Sequence, residues 1–123
     1  MKKIDTNTKE EMVVDAQGKA LGRLATEISF ILSGKNKATF ERNIYSGAPV
    51  KVVNASKIKT NTKRLEGISH KRYSGYPGGL TILSGSEVIG KKGFGELIKH
   101  AVYQMLPGNK LRREMMKNLK IEE

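Results

Sequence analysis

The stretch "MVVDAQGKALGRLATEISFIL", residues 12–32, runs from a candidate strand through a turn into a candidate helix. Val13 and Val14, flanked by turn-forming residues, read as a buried strand over residues 12–16. Gln17-Gly18-Lys19 follows as a turn. Leu21, Leu24, Ala25, Ile28, Ile31 and Leu32 then recur at spacings of three and four, the single apolar stripe of an amphipathic helix. Ser33-Gly34 stops it, because glycine tolerates the left-handed conformation that closes a helix.

Working outward, residues 35–49 read as a basic loop, and "VKVVNAS" (50–56) as a second strand with Val50, Val52 and Val53 apolar. "KIKTNTKRLEG" (57–67) is short and polar, with turn chemistry at Asn61-Thr62. "ISHKRYSGYPGGL" (68–80) begins like a strand and passes into a Gly/Pro loop. A helix expected to be the longest follows: Phe94, Leu97, Ile98, Ala101, Val102, Met105 and Leu106 keep the helical spacing, and Pro107-Gly108 ends it. A last helix, about 111–119, runs into Leu119-Lys120-Ile121 as an edge strand. Strands alternating with helices predict an α/β domain with a mainly parallel sheet.

At 123 residues one domain is expected, able to bury roughly two-thirds of its unfolded surface. We divide the chain into a short polar N-terminal extension, 1–11, and a single domain, 12–123. There is no Cys, which removes disulfides and thiolate metal sites and suits a reducing compartment. Two histidines, His70 and His100, are thin material for a metal centre. No apolar run reaches signal-peptide length near the start, and none approaches the roughly 20 residues that span a bilayer. The expectation is a soluble cytoplasmic protein with no cofactor and no membrane contact.

Charge is the loudest feature: 23 Lys and Arg against 12 Asp and Glu, net +11. Ten of those net charges fall in two stretches. Residues 43–72 hold Lys51, Lys57, Lys59, Lys63, Arg64, Lys71 and Arg72 against Glu66. Residues 105–121 hold Lys110, Arg112, Arg113, Lys117 and Lys120 against Glu114. Clustered charge of one sign attracts polyanions and repels itself until a partner neutralises it.

The candidate chemistry follows from these clusters. "GKALGRLA" (18–25) lies where Gly-rich phosphate loops occur, but it matches neither dinucleotide nor mononucleotide fingerprint. A phosphate could lie at this helix start, helped by Lys19 and Arg23. Equally, Gly18 could serve only a turn and Gly22 only close packing. Catalysis is poorly supported: Ser69-His70 are mere neighbours, Asp5 and Asp15 are remote, and no carboxylate pair stands near a basic cleft. No small-molecule substrate is expected. "SHKRYSGYPGG" (69–79) combines His70, Lys71 and Arg72 with Tyr73, Tyr76 and glycines. Cations neutralise phosphates and Tyr rings stack on unpaired bases, which fits RNA better than a DNA major groove.

Several segments together resemble one family, bacterial large-subunit ribosomal protein thirteen. They are "VVDAQGKALGRLAT" (13–26), "SGKNKATF" (33–40), "VVNASKI" (52–58), "YSGYPGGL" (73–80) and "AVYQMLPGNKLRREMMKNLKI" (101–121), collinear over nearly the whole chain. The resemblance implies a three-layer α/β/α domain around a four-stranded, mainly parallel sheet. It implies a non-enzymatic constituent of the large ribosomal subunit that binds its RNA, meets neighbouring ribosomal proteins and supports early assembly. After Met-Leu-Pro the family often has Lys-Gly-Pro-Leu-Gly-Arg; here stand Gly108-Asn109-Lys110-Leu111-Arg112-Arg113. A free RNA-binding regulator of a messenger would show the same surface.

The residues expected to face ribosomal RNA are therefore Lys19 and Arg23 at the first helix; Lys35, Lys37 and Arg42 in the loop after it; Lys57, Lys63 and Arg64; His70, Lys71, Arg72, Tyr73 and Tyr76; and Lys110, Arg112, Arg113, Lys117 and Lys120. At about 100° per residue, Leu111, Met115, Met116 and Leu119 span an arc of roughly 140°, and Arg113, Lys117 and Lys120 a separate arc of roughly 60°. Arg112 falls inside the apolar arc. Either the helix begins after it, or its stem runs past the apolar face to a phosphate.

Overall fold

The computed structural model describes residues 10–123; nearly all of the expected N-terminal extension, residues 1–9, lies outside the described residues. The elements in order are β1 (Met12–Asp15), α1 (Leu21–Ser33), β2 (Val50–Val53), a 3-10 turn (Ala55–Lys57), α2 (Thr62–Gly67), β3 (Ser69–Tyr73), β4 (Leu80–Ser84), α3 (Gly85–Lys92), α4 (Phe94–Met105), α5 (Leu111–Lys117) and β5 (Leu119–Ile121). The chain is a mixed α/β protein. Its main sheet is parallel, in the order β1-β2-β5, and a second, two-stranded sheet is the antiparallel hairpin β3-β4.

Helix α1 forms as its stripe predicts. Leu24, Ala25, Ile28, Ile31 and Leu32 are buried, and Gly34 ends the helix at φ 79° while its N–H donates to the Ile31 carbonyl. Helix α4 is one turn-for-turn equivalent, burying Leu97, Ile98 and Val102. At 12 residues against 13 it is not the longest helix. Met105, expected on its apolar stripe, is exposed and accepts a hydrogen bond from Thr26 Oγ1 instead. Both helices pack against each other and against Val14, Val50 and Val52, so one core joins sheet and helices.

The sheet departs from expectation in two respects. Three strands are paired, not four; an isolated parallel bridge between Ala20 and Lys59 prolongs the β1–β2 ladder beyond the 3-10 turn. The helices α1 and α4 cover one face. On the other, Val13 pairs with Lys51 and Lys51 with Lys120. Val13, read from sequence as buried, is 64% exposed there. Alternation explains it: neighbouring strand residues point to opposite faces, so Val14 can be buried only if Val13 is not.

Three elements in the middle of the chain were not expected. Helix α2 lies in the segment read as polar turn; Asn61 caps it, its side chain accepting from the Lys63 N–H. Strand β4 turns the expected loop into a hairpin, and α3 follows it immediately. A reciprocal capping box starts α3: Ser84 accepts from the Glu87 N–H, and the Glu87 carboxylate accepts from the Ser84 N–H.

Leu97→Ala removes a fully buried side chain and should destabilise the fold by roughly 2–5 kcal/mol in urea unfolding. Val13→Thr, on the open sheet face, should stay within about 0.5 kcal/mol of the parent protein.

Candidate nucleic-acid interface

The fold gathers the cations of the chain into concave places around the core. At the start of α1 the helix has Ala20 as its N-cap, without a side-chain cap, and no acid in its first turn. The positive end of the helix dipole is thus left to its surroundings. Lys19, Arg23, Lys63 and Arg64 line a shallow cavity of about 890 Å³ there, together with Lys59 and Asn61. The cavity exists because the Lys59 N–H donates to the Lys19 carbonyl at 2.9 Å, drawing the two basic segments together. Lys19 also bonds Glu27 at 2.7 Å, which partly offsets its charge. Lys57 stands beside this site at the 3-10 turn. Asp15, nearby, keeps its carboxyl below the ordinary carboxylate value, because it accepts from the Gln17 N–H and from the Asn54 side chain, with Lys19 and Lys57 adding to the effect.

The second concave place surrounds α5. Lys110, Arg112, Arg113 and Lys117 line a bowl of about 880 Å³ with Lys99 and Tyr103 of α4. Met115 is buried beneath them, so the short helix has one face on the core and one toward the bowl. The first sequence alternative for Arg112 is not met. The helix begins before it, at Leu111, and its guanidinium lies over the Tyr103 ring, 4.0 Å from the centroid. A cation over an aromatic face is attracted by the ring's quadrupole, so Arg112 fits the apolar arc because an aromatic ring receives it there.

Lys120 does not join Arg113 and Lys117. The helical wheel fails after Lys117, where the chain turns at Asn118 and enters β5. Lys120 consequently stands on the open sheet face and bonds Glu11 at 3.1 Å. Lys51, beside it in the sheet, pairs with Glu122 at 2.8 Å.

The loop after α1 brings Lys35 and Arg42 to one hollow with Phe40, Ile44 and Met115. Lys37 points elsewhere: its ammonium donates to the Ser46 carbonyl at 3.1 Å and helps hold the loop. On the hairpin, Lys71 and Arg72 line a cavity shared with Lys91 and Lys92 of α3, while Tyr73 and Tyr76 are exposed. His70 turns inward. Its ring lies 4.0 Å from that of His100, with its Nε2 atom buried and without a hydrogen-bond partner. Burial, with His100 adding to it and Glu96 opposing, holds His70 below the ordinary imidazole value.

Four cations in these places were not singled out from sequence: Lys59, Lys91, Lys92 and Lys99. A second pattern is also visible only in three dimensions. Each of the ion pairs among the described residues uses a lysine: Lys19, Lys51, Lys92 and Lys120. The six arginines, Arg23, Arg42, Arg64, Arg72, Arg112 and Arg113, pair with no carboxylate there. The planar, permanently charged guanidinium is the side chain best matched to phosphate, and no arginine joins an ion pair among the described residues, as is also true of Lys63, Lys110 and Lys117 beside them.

Such a surface, basic and concave with exposed Tyr rings, suits a folded polyanion. Comparison with known proteins gives its lineage. The model of the family described as Ribosomal protein L13 matches residues 9–122. The chain belongs to the ribosomal protein L13 family. It is 47% identical over 119 residues to a protein named large ribosomal subunit protein uL13 from Pelobacter propionicus, covering 97% of this chain and 83% of that one. A protein of the same name from Clostridioides difficile is 48% identical over 109 residues, covering 89% and 76%. One from Caldanaerobacter subterraneus is 45% identical over 109 residues. Within this L13 chain, residues 18–23 with 59–64 build the α1 cavity, and residues 109–117 with Lys99 and Tyr103 build the α5 bowl.

Two outcomes follow. A double-mutant cycle of Tyr103→Ala and Arg112→Ala should return a coupling of about 0.5–1 kcal/mol in denaturant unfolding, the worth of an exposed cation–π pair. Because His70 is held below its ordinary value, the unfolded chain takes up a proton before the folded one does. Stability should therefore fall as pH drops below about 6.5, the ordinary value of the group, and His70→Gln should flatten that dependence in pH-series unfolding.

Proposed function

We infer that the chain works as the protein part of a ribonucleoprotein. Family membership makes it a structural, non-enzymatic constituent of the large ribosomal subunit, located with the ribosome in the cytoplasm. No helix among the described residues is long and apolar enough to cross a membrane. The finer reading is ours: the α1 cavity and the α5 bowl hold phosphates of large-subunit RNA. The observation that carries it is the gathering of Arg23, Arg64, Lys59 and Lys63 in one concave place and of Arg113, Lys110, Lys99 and Lys117 in another, none of them in an ion pair among the described residues.

The mechanism is neutralisation. Each phosphate met by Lys or Arg releases condensed counterions, which drives binding and makes it salt-dependent. Contacts to phosphate and ribose fix the protein's register on the RNA, and shape supplies selectivity. Two basic concavities built on one core can hold two RNA segments together, the physical content of a role in early assembly. Lys35, Arg42, Lys57, Lys63, Lys71, Arg72 and Lys110 extend these surfaces; Lys37 and Lys120 contribute less, because each already holds an oxygen of the protein. His70 packs its ring on His100 and also lines the cavity between the hairpin and α3.

We also propose that residues 12–123 act as one domain, supported by their single continuous core. The family's arrangement of four strands in three layers goes further than the three paired strands and the helical layer on one sheet face; a layer on the open face of Val13 and Lys51 would complete it. Neighbouring ribosomal proteins are the proposed partners of surfaces that RNA leaves free.

Arg113→Ala combined with Lys117→Ala should weaken binding to large-subunit RNA and lower the salt slope by roughly 0.7–0.9 per lost contact, with an unchanged unfolding temperature. Lys120→Ala should leave the slope near that of the parent protein. Sedimentation checks the setting: the protein should travel with the large subunit through a moderate salt wash. A pool running wholly free of ribosomes would favour a separate regulatory role on messenger RNA.

A further inference from the structure

The hairpin has two chemically different faces. In its ladder Arg72 lies opposite Thr81, and His70 opposite Leu83. Residues directly opposite share a face of an antiparallel pair, so these four line one side. That side looks onto α3 and encloses a cavity of about 460 Å³ with Val88, Lys91, Lys92 and Glu96. The volume is that of a small-ligand site, which runs roughly 300–1,000 Å³.

The lining is mixed in a particular way. Arg72, Lys91 and Lys92 supply positive charge. The one carboxylate, Glu96, stands 4.0 Å from Lys92 and offsets part of its charge, leaving Arg72 and Lys91 as the cations of the cavity that meet no carboxylate among the described residues. Leu83 and Val88 give an apolar wall, and the Thr81 hydroxyl can donate and accept. A free inorganic anion has no use for an apolar wall. A duplex presents a convex backbone and cannot enter a cavity of this size. A single nucleotide turned out of its stack has all three needs: a phosphate to neutralise, a flat base to shelter from water, and polar edges to bond. Unpaired, splayed nucleotides are the elements of RNA that proteins read most directly.

We propose that the cavity between β3-β4 and α3 takes one unpaired nucleotide of large-subunit RNA, its phosphate against Arg72, Lys91 and Lys92 and its base against Leu83 and Val88. The proposal rests on the reading of the chain as a binder of that RNA and adds the element it grips: a bulge or loop, not a helix. Tyr73, on the opposite hairpin face, and Tyr76, at the tip, are placed to stack on bases that flank it.

The test uses the whole protein and transcribed large-subunit RNA, with affinity measured across a salt series. Thr81→Trp puts a ring into the cavity and removes no charge. It should lower affinity about five- to tenfold and leave the salt slope unchanged. Lys91→Ala with Lys92→Ala should lower both affinity and slope. If Thr81→Trp is folded and binds like the parent protein, the cavity is not the nucleotide site. Ultraviolet crosslinking of the unaltered protein needs no substitution: adducts on hairpin or α3 peptides should carry a nucleotide that is unpaired in the RNA. Adducts there only from paired nucleotides would overturn the proposal. If the parent protein itself fails to bind the RNA, the broader reading falls, and the cavity with it.

Discussion

Everything basic in this protein hangs on one small apolar contact, the packing of α1 and α4 on the sheet face that carries Val50 and Val52. Leu24, Ile28, Leu32, Leu97, Ile98 and Val102 are all fully buried there. A chain of net charge +11 repels itself, and this core supplies the cohesion that offsets the repulsion. It also sets the positions of the charges. The start of α1 and the far side of α4 are fixed relative to each other because both helices share that core. The α1 cavity and the α5 bowl are therefore built on one shared core.

The acids show how the remaining repulsion is handled. Glu11 and Glu122 compensate Lys120 and Lys51 on the open sheet face, Glu27 meets Lys19, and Glu96 approaches Lys92. Exposed pairs of this kind contribute little to stability. Their effect is on the pattern of charge: they offset particular lysines and leave the arginines and the remaining lysines without a carboxylate partner among the described residues. Arg112 illustrates the same economy. Tucked over Tyr103, its guanidinium still faces the bowl, but its position is set by the ring and not by solvent.

Much of this was legible in sequence, and the failures have physical causes. Helices α1 and α4 and strands β1, β2 and β5 were readable because each buries one face, and burial writes a period into the residues. Val13 misled because two adjacent valines suggest a strand covered on both sides, whereas this sheet is covered on one. Strand β4 and helix α3 write no such period. The hairpin is held by its own ladder, and α3 buries only Gly85 and Val88. The signal for α3 was nonetheless present: Ser84 and Glu87 have the spacing of a capping box. Lys91, Lys92 and Lys99 were hidden by averaging, since residues 73–104 also hold Glu87 and Glu96 and their net charge is small. The wheel that grouped Lys120 with Arg113 assumed a helix that ends two residues too late.

The hairpin carries the argument one step further. A two-stranded sheet on its own is marginal in water, and this one leans on α3 and α4 through a single face. Its other face shows Tyr73, Leu80 and Ile82 to solvent. A protein that functioned alone would lose nothing by placing polar residues there, and would gain solubility. Retaining Tyr73, Leu80 and Ile82 beside Lys71 on that face makes sense for a chain whose finished surroundings are not water alone.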